Sequence, residues 1–400
     1  MSERFTLVGL SDSAEPHLDF VAIEAIGAAR IFAGGKRHRE IVGGLLPAGH
    51  CWITIAPPIE GVLSQLAGAD GPVVVFASGD PFFYGFGATL RKRFPGASMR
   101  SFPAFHSLQM LAQRCLMPYQ SMRHASLTGR SWEELDSALI AGEWLIGVLT
   151  DARKTPPEVA RRLLDFGYSG YRMMVGEALG GSEERVRHCT LEEAAGMQFG
   201  KLNCLLLAAT EPPKRRFGIP ENLFDGLAGR PNMITKMPFR LAVLAALELG
   251  RARTFWDVGF CTGSVAIEAR LQFPSLAVTA FEKRPECEAL LETNARRFGA
   301  PGIAKVMGDF LEQGHRALCG SSVDAVFIGG HGDRLDEVFD VVARSLAPGG
   351  RVVMNAVRES SANAFAASAA RCGMELAEPL RLTVGDHNPV TVMKAVKLNP

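Results

Sequence analysis

Apolar runs short enough for single strands alternate with segments of helical period along almost the whole chain. In the first stretch the runs predict strands at 5–10, 30–34, 51–56, 72–78 and 98–103, with helices near 18–28, 58–67, 83–93 and 106–116. Beyond Met117-Pro118 the rhythm changes. Strands are expected at 143–149, 171–178, 184–189 and 202–209, and helices near 132–141 and 156–165. The run "EALGGSEERV" reads as a β-hairpin turned at Gly180-Gly181. Residues 5–210 thus form one domain of two lobes, each with a mixed sheet.

The segment 211–232, rich in proline, glycine and charge, reads as a linker. After it the pattern becomes regular: helix 238–248, strand 254–258, helix 264–272, strand 276–282, helix 285–298 and strands 303–307 and 323–328. Helix 333–345, strand 351–357 and helix 360–372 follow, then 376–384 and 390–398 as an antiparallel hairpin at the sheet edge. The fold class is α/β: a two-lobed domain at 1–210, then a doubly wound, Rossmann-like domain at 233–400 with a terminal β-hairpin.

Composition narrows the function. The 43 Lys+Arg against 42 Asp+Glu leave no electrostatic footprint for nucleic acid and no polybasic membrane anchor. "LAVLAALELG" is too short to span a bilayer, and the N-terminus enters a strand with no signal-peptide core. The eight cysteines are scattered, with no C-x-x-C pair and no histidine at ligand spacing. Reduced thiols in a cytoplasmic protein without a metal site are expected.

In a doubly wound sheet, ligands bind beyond the carboxyl ends of the strands. "WDVGFCTGS" lies at such an end, spaced Gly-x-x-x-Gly and led by Asp257. An acid there disfavours a pyrophosphate and suits a ligand bearing an ammonium group, such as S-adenosylmethionine. Glu282, 25 residues after Asp257, ends the next strand and is placed to accept the ribose hydroxyls. Asp309 ends the third strand, with Phe310 beside it to flank the adenine. The alternative is that Glu282 and Asp309 only cap the following helices.

These acid-tipped strands resemble those of class I methyltransferases. More closely, "NMITKMPFRLAVLAAL", "WDVGFCTGSVAIEA", "FIGGHGD" and "LAPGGRVVMNAV" are similar to the C-15-methylating, decarboxylating enzymes of cobalamin biosynthesis. The resemblance adds Thr235, Gly259, Thr262, Gly263 and Ser264 to the cofactor residues. That family's loop is Asp-x-Gly-x-Gly-Thr-Gly-Ser, so Cys261 stands where a glycine is usual, read as a tolerated small residue.

Upstream, "VVVFASGDPFFYGFG" is a buried strand, a Ser-Gly-Asp-Pro turn and a helix, which an ordinary capped turn would also explain. With "FAGGKRHREI", "FPAFHSLQMLAQRC", "LTDARKTPPEVARRLLDFG" and "VGEALGGSEERV", it resembles the class III, tetrapyrrole-type methylases, specifically the C-5-methylating enzymes of the same pathway. The resemblance places Gly9, Gly79, Asp80, His106 and Ser107 around a second cofactor. The first strand departs from the family's Gly-x-Gly-Pro-Gly by reading "VGLSDS". Lys36-Arg37-His38-Arg39, at the start of a helix, is either a solvated run or a partner for substrate carboxylates; Lys214-Arg215-Arg216 reads as linker charge.

Both halves together resemble the fused C-5,15-methylating, decarboxylating family. The resemblance implies methylation of precorrin-6B at C-5 and C-15 with loss of the C-12 acetate carboxyl, two S-adenosylmethionine sites and a homo-oligomer. Candidates for acid–base work are Lys236 before the first C-terminal helix, His331 in "GGHGD" and Asn355 at the end of strand 351–357. A nucleic-acid base methyltransferase would share the C-terminal pattern but lacks here the Asn/Asp-Pro-Pro-aromatic element. Two further alternatives are a dehydrogenase and a non-catalytic N-terminal scaffold.

Overall fold

In the computed structural model, residues 4–13, 16–211, 216–317, 322–385 and 388–398 are described. The chain divides into two compact units. One comprises Met1–Arg130, Trp144–Arg161 and Tyr171–Thr210; the other comprises Ser131–Glu143, Arg162–Gly170 and Glu211–Pro400.

The first lobe of the chain runs β1 (Phe5–Leu10), α1 (Phe20–Ala28), β2 (Ile31–Gly34), α2 (Lys36–Val42), β3 (Cys51–Thr54), α3 (Ile59–Ala67), β4 (Val73–Ser78), α4 (Phe86–Arg93) and β5 (Met99–Phe102). Its strand order is β3-β2-β4-β1-β5 and every pairing is parallel, where a mixed sheet was expected. The cause is the helix between each pair of successive strands: a crossover returns the chain to the same end of the sheet, whereas only a tight turn gives an antiparallel neighbour. The six residues of β1 are all buried, as a strand covered on both faces requires.

The second lobe follows as α5 (Ser107–Arg114), β6 (Arg123–Ser126), α6 (Glu133–Ala141), β7 (Leu145–Leu149), α7 (Pro156–Asp165), β8 (Tyr171–Glu177), β9 (Arg185–Cys189), α8 (Leu191–Gly196) and β10 (Asn203–Ala209). Its order is β6-β7-β10-β8-β9, with β6 and β7 parallel and the other pairs antiparallel. The hairpin at Gly180-Gly181 is present, closed by Gly181 N–H donating to the Ala178 carbonyl at 2.9 Å.

The C-terminal sheet is built from α9 (Met237–Leu247), β11 (Thr254–Val258), α10 (Ser264–Gln272), β12 (Ala277–Glu282), α11 (Glu286–Phe298), β13 (Ile303–Met307), α12 (Phe310–Ala317) and β14 (Val323–Ile328). It continues with α13 (Leu335–Ser345), β15 (Leu346–Ala356), α14 (Glu359–Arg371), β16 (Met374–Leu376), β17 (Leu380–Leu382) and β18 (Val390–Lys397). The order is β13-β12-β11-β14-β15-β18-β16, parallel from β13 to β15. Phe255 and Trp256 are neighbours on β11 yet belong to the cores on opposite faces, which is the period-two signature of a sheet sandwiched between helices. The expected terminal hairpin is present: β17 and β18 pair antiparallel at the end of the sheet, where β18 adds antiparallel to β15 and also carries the short β16.

The segment expected to be a linker is fastened into the second unit from Phe217 onward. Ile219, Phe224 and Leu227 are buried in the C-terminal core. Glu268 accepts the backbone N–H groups of Gly218 and Ile219 and pairs with Arg240 at 2.7 Å, both side chains fully buried. Lys214 and Arg215 lie outside the described residues, and Arg216 stacks over the Phe298 ring.

Candidate functional site

The loops after β11, β12, β13 and β14 surround a cavity of about 770 Å3 in the second unit. Asp257, at the end of β11, is its most informative wall residue. One carboxylate oxygen, Oδ2, accepts the Ala266 N–H at 3.0 Å at the start of α10; Oδ1 is buried and has no protein partner. Three other cavity-lining side chains also bury a polar atom without a protein partner: Thr262 Oγ1, His331 Nδ1 and Asn355 Oδ1. Buried polar atoms are ordinarily satisfied, so four on one cavity are positions where water or a polar ligand can bind. Burial pushes the Asp257 carboxyl up to about 7, and the nearby Glu282 charge acts in the same direction against the Ala266 hydrogen bond. A cationic group at Oδ1 would reverse that shift, and this is the fit expected for an amino-acid ammonium.

The loop itself is shaped by close packing. At Gly259 (φ 80°) a Cβ would come within 2.7 Å of the Gly330 nitrogen, so glycine lets the loops after β11 and β14 meet backbone to backbone. Gly263 caps α10 at φ 75°, and a Cβ there would collide with Leu291; it lies behind the cavity wall and serves helix packing, not ligand approach. Cys261 has φ 49°, a left-handed conformation that explains why glycine is the usual residue. Its N–H donates to Glu282 Oε2 at 3.1 Å and its Sγ contacts the Met233 carbonyl at 3.1 Å; burial pushes its thiol pKa up.

The other expected acids reach the cavity already engaged. Glu282, at the end of β12, pairs with Arg284 at 2.6 Å and accepts three backbone N–H groups, those of Cys261, Lys283 and Arg284. Burial would raise its carboxyl, but the Arg284 hydrogen bonds outweigh that and hold it below the usual range. Asp309 accepts the Leu311 N–H at 2.9 Å and pairs with Arg334, and both interactions hold its carboxyl low. It therefore does cap α12 while also lining the cavity. Phe310 packs edge-on against Phe281 (5.1 Å) and Trp256 (5.9 Å) with part of its surface on the wall. Thr235, Lys236, Ser264, His331 and Asn355 line the same cavity.

Sequence reasoning missed Arg284 and the strap residues Arg230, Asn232 and Met233 on this wall. The only sequence signal for Arg284 is its place two residues after the strand-end acid. Nothing in a proline- and glycine-rich stretch signals the strap.

A second cavity, of about 450 Å3, lies in the first unit and is lined by Gly79, His106 and Ser107 among the expected residues. Asp80 and Gly9 stand behind its wall. Asp80 accepts the Phe82 N–H at 2.8 Å and so shapes the turn after β4. A Cβ on Gly9 would overlap the Gly79 carbonyl, so Gly9 lets β1 end tightly beneath that turn. His106 caps α5 through Gln109 N–H (3.3 Å) and stacks on Phe83 at 3.7 Å. Burial, aided by His124 and opposed by Asp80, lowers its pKa to about 4.

The basic run at α2 divides its tasks. Arg37 pairs with Asp12, Arg39 stacks over Trp52, and His38 turns into the cavity to meet Ser78 Oγ at 3.0 Å. Gly35 N–H donates to His38 Nδ1 at 3.2 Å, and burial with the Arg37 charge brings the His38 pKa down to about 4.

Two parallel-sheet architectures, each with a polar cavity at its strand tips, are accompanied by two family matches. One family, described as "Precorrin methyltransferase domain", matches residues 229–399; the other, "Tetrapyrrole (Corrin/Porphyrin) Methylases", matches residues 4–195. The chain is a two-part methyltransferase. It is 32% identical to the precorrin-6Y C(5,15)-methyltransferase [decarboxylating] of Sinorhizobium sp, over 99% of this chain and 94% of that protein. It belongs to that family. Its C-terminal part is 37% identical to the cobalt-precorrin-6B C(15)-methyltransferase (decarboxylating) of Salmonella typhimurium, over 41% of this chain and 83% of that one. Its N-terminal part is 35% identical to the cobalt-precorrin-7 C(5)-methyltransferase of the same organism, over 45% and 88% respectively.

Proposed function

We propose that the chain methylates precorrin-6B at C-5 and C-15 and decarboxylates its C-12 acetate, giving precorrin-8 in cobalamin biosynthesis. Residues 1–210 would carry the C-5 step and residues 233–400 the C-15 step with decarboxylation. Each part would hold one S-adenosylmethionine. The observation that carries the reading is the buried Asp257 Oδ1, which faces the C-terminal cavity with no protein partner.

When bound, S-adenosylmethionine supplies a methyl group made electrophilic by its sulfonium. The chain's own duty is alignment and exclusion of water. Asp257 Oδ1 would accept from the ammonium, with Thr262 and Ser264 beside it on the wall. Glu282 would hold the ribose hydroxyls, and Asp309 and Phe310 would flank the adenine. Thr235 and Lys236 cover the strap side of the cavity.

Carbon–carbon cleavage at the acetate releases carbon dioxide and leaves an electron pair that the conjugated macrocycle delocalises until a proton is taken up and the C-12 methylene becomes a methyl group. His331 Nδ1 and Asn355 Oδ1 both lack protein partners. They are therefore the groups available to take or steer the proton displaced by the new methyl, with Lys236 the third candidate. In the first unit, Gly79, His106 and Ser107 border the corresponding site; the low pKa of His106 keeps its ring uncharged at neutral pH.

The partner in this reading is a small tetrapyrrole, not nucleic acid or membrane, and the enzyme works in the cytoplasm as a homo-oligomer. Among the described residues, no helix is long and apolar enough to cross a membrane. Calorimetry with S-adenosylhomocysteine tests the cofactor reading: two sites per chain are expected. A single site would remove the N-terminal half of the proposal.

A further inference from the structure

The Glu282 carboxylate is saturated by its own chain. Oε1 accepts from Lys283 N–H (2.9 Å), Arg284 N–H (3.1 Å) and Arg284 Nε (3.0 Å); Oε2 accepts from Cys261 N–H (3.1 Å) and Arg284 Nη2 (2.6 Å). A carboxylate offers about four lone-pair sites, so no acceptor capacity remains for another donor pair. The three backbone donors are fixed by the strand end and the glycine loop. The two side-chain donors belong to the guanidinium of Arg284, whose side chain is 26% exposed and lines the cavity wall. That fork grips both oxygens at once, the arrangement a vicinal diol would need.

We propose that Arg284 is a specificity-determining residue of the C-terminal site: it competes with the ribose for Glu282, and binding proceeds by its displacement. The inference rests on the reading of this cavity as the S-adenosylmethionine site. A ligand must then bring two hydroxyls to recover the hydrogen bonds that the departing guanidinium gives up. A ligand without the diol leaves Arg284 in place and gains nothing from Glu282. Arg284 also reaches the strap, its Nη1 lying against Met233 Sδ, while the Met233 carbonyl meets Cys261 Sγ. Displacement therefore loosens a contact that holds residue 233 beside the glycine loop.

The test is calorimetry on the full chain at about pH 8, above the Asp257 pKa of about 7. The probes are S-adenosylhomocysteine and its 2′,3′-dideoxy analogue. The C-terminal site is recognised as the one whose affinity at that pH is weakened in Asp257→Asn. Arg284→Ala is expected to tighten S-adenosylhomocysteine binding at that site about fivefold, the worth of a modest hydrogen-bond difference, and to leave the dideoxy analogue unchanged. Arg284→Lys keeps the charge without the fork and should fall between the two, which covers an alanine variant that fails to fold. Weaker S-adenosylhomocysteine binding in either variant, or equal shifts for both ligands, would overturn the inference alone. Absence of any wild-type site sensitive to Asp257→Asn would overturn the cofactor reading and the inference with it.

Discussion

Asp257 makes cofactor affinity a function of pH. Its carboxyl is raised from an ordinary 3.8 to about 7 in the folded protein, so between those values the folded state holds a proton that the unfolded chain has released. Its contribution to stability is therefore lost as pH rises through that window. A cationic ligand selects the ionised form, which moves binding the opposite way. S-adenosylhomocysteine affinity at the C-terminal site should fall roughly tenfold per pH unit below about 6 and level off above 7, and Asp257→Asn should flatten the profile. Calorimetry from pH 5.5 to 8 checks this, and a flat wild-type profile would contradict it. At Cys261 the left-handed backbone (φ 49°) costs a side-chain residue about 1–2 kcal/mol, which glycine would not incur. Glycine instead gives up the buried Sγ contact and adds chain entropy of similar size. Cys261→Gly should thus melt within about 1 kcal/mol of the parent and bind cofactor as well or better. Loss of activity in that variant would give the thiol a role the geometry does not.

The strap at 217–236 is the element whose attachment matters most to the site. Its residues line the C-terminal cavity, and the fully buried Arg240–Glu268 pair between α9 and α10 holds it. Arg240 donates to the Thr235 carbonyl at 2.8 Å, and Glu268 accepts from Gly218 and Ile219. Removing one member strands a buried charge. Glu268→Ala should cost about 3–5 kcal/mol in denaturant unfolding, far more than loss of an exposed pair such as Arg371–Asp340. This strap was invisible in the sequence for a physical reason. Proline, glycine and charge signal turns, while its anchors lie on helices far along the chain, Gly218 bonding to Glu268. Where apolar runs were clear, as in β11 and β14, the sequence reading and the structure coincide. The short polar strand β6 and the one-turn α8 carry too few apolar positions to register. The all-parallel first sheet is legible in principle from its crossover helices.

Each of the two units forms its own cavity, the larger at the strand ends of the C-terminal sheet and the smaller bounded by both sheets of the first unit. Residue types at strand ends were enough to find Asp257, Glu282 and Asp309 around the larger one. The engagement of Glu282 by Arg284 and of Asp309 by Arg334 was not legible, because it depends on side-chain direction and not on spacing. In the smaller cavity, Gly79, His106 and Ser107 were found by resemblance, whereas His38 and Ser78 needed the fold to bring α2 beside β4. If the units act separately, Glu282→Ala should abolish C-15 methylation and spare C-5 methylation in a product assay; loss of both would argue against separate sites. The decisive measurement is mass spectrometry of the product after precorrin-6B is incubated with the protein and methyl-labelled S-adenosylmethionine. The expected product carries two labelled methyl groups and has lost one carbon dioxide. A product with a single label, or with both labels and the carboxyl retained, would contradict the proposed function.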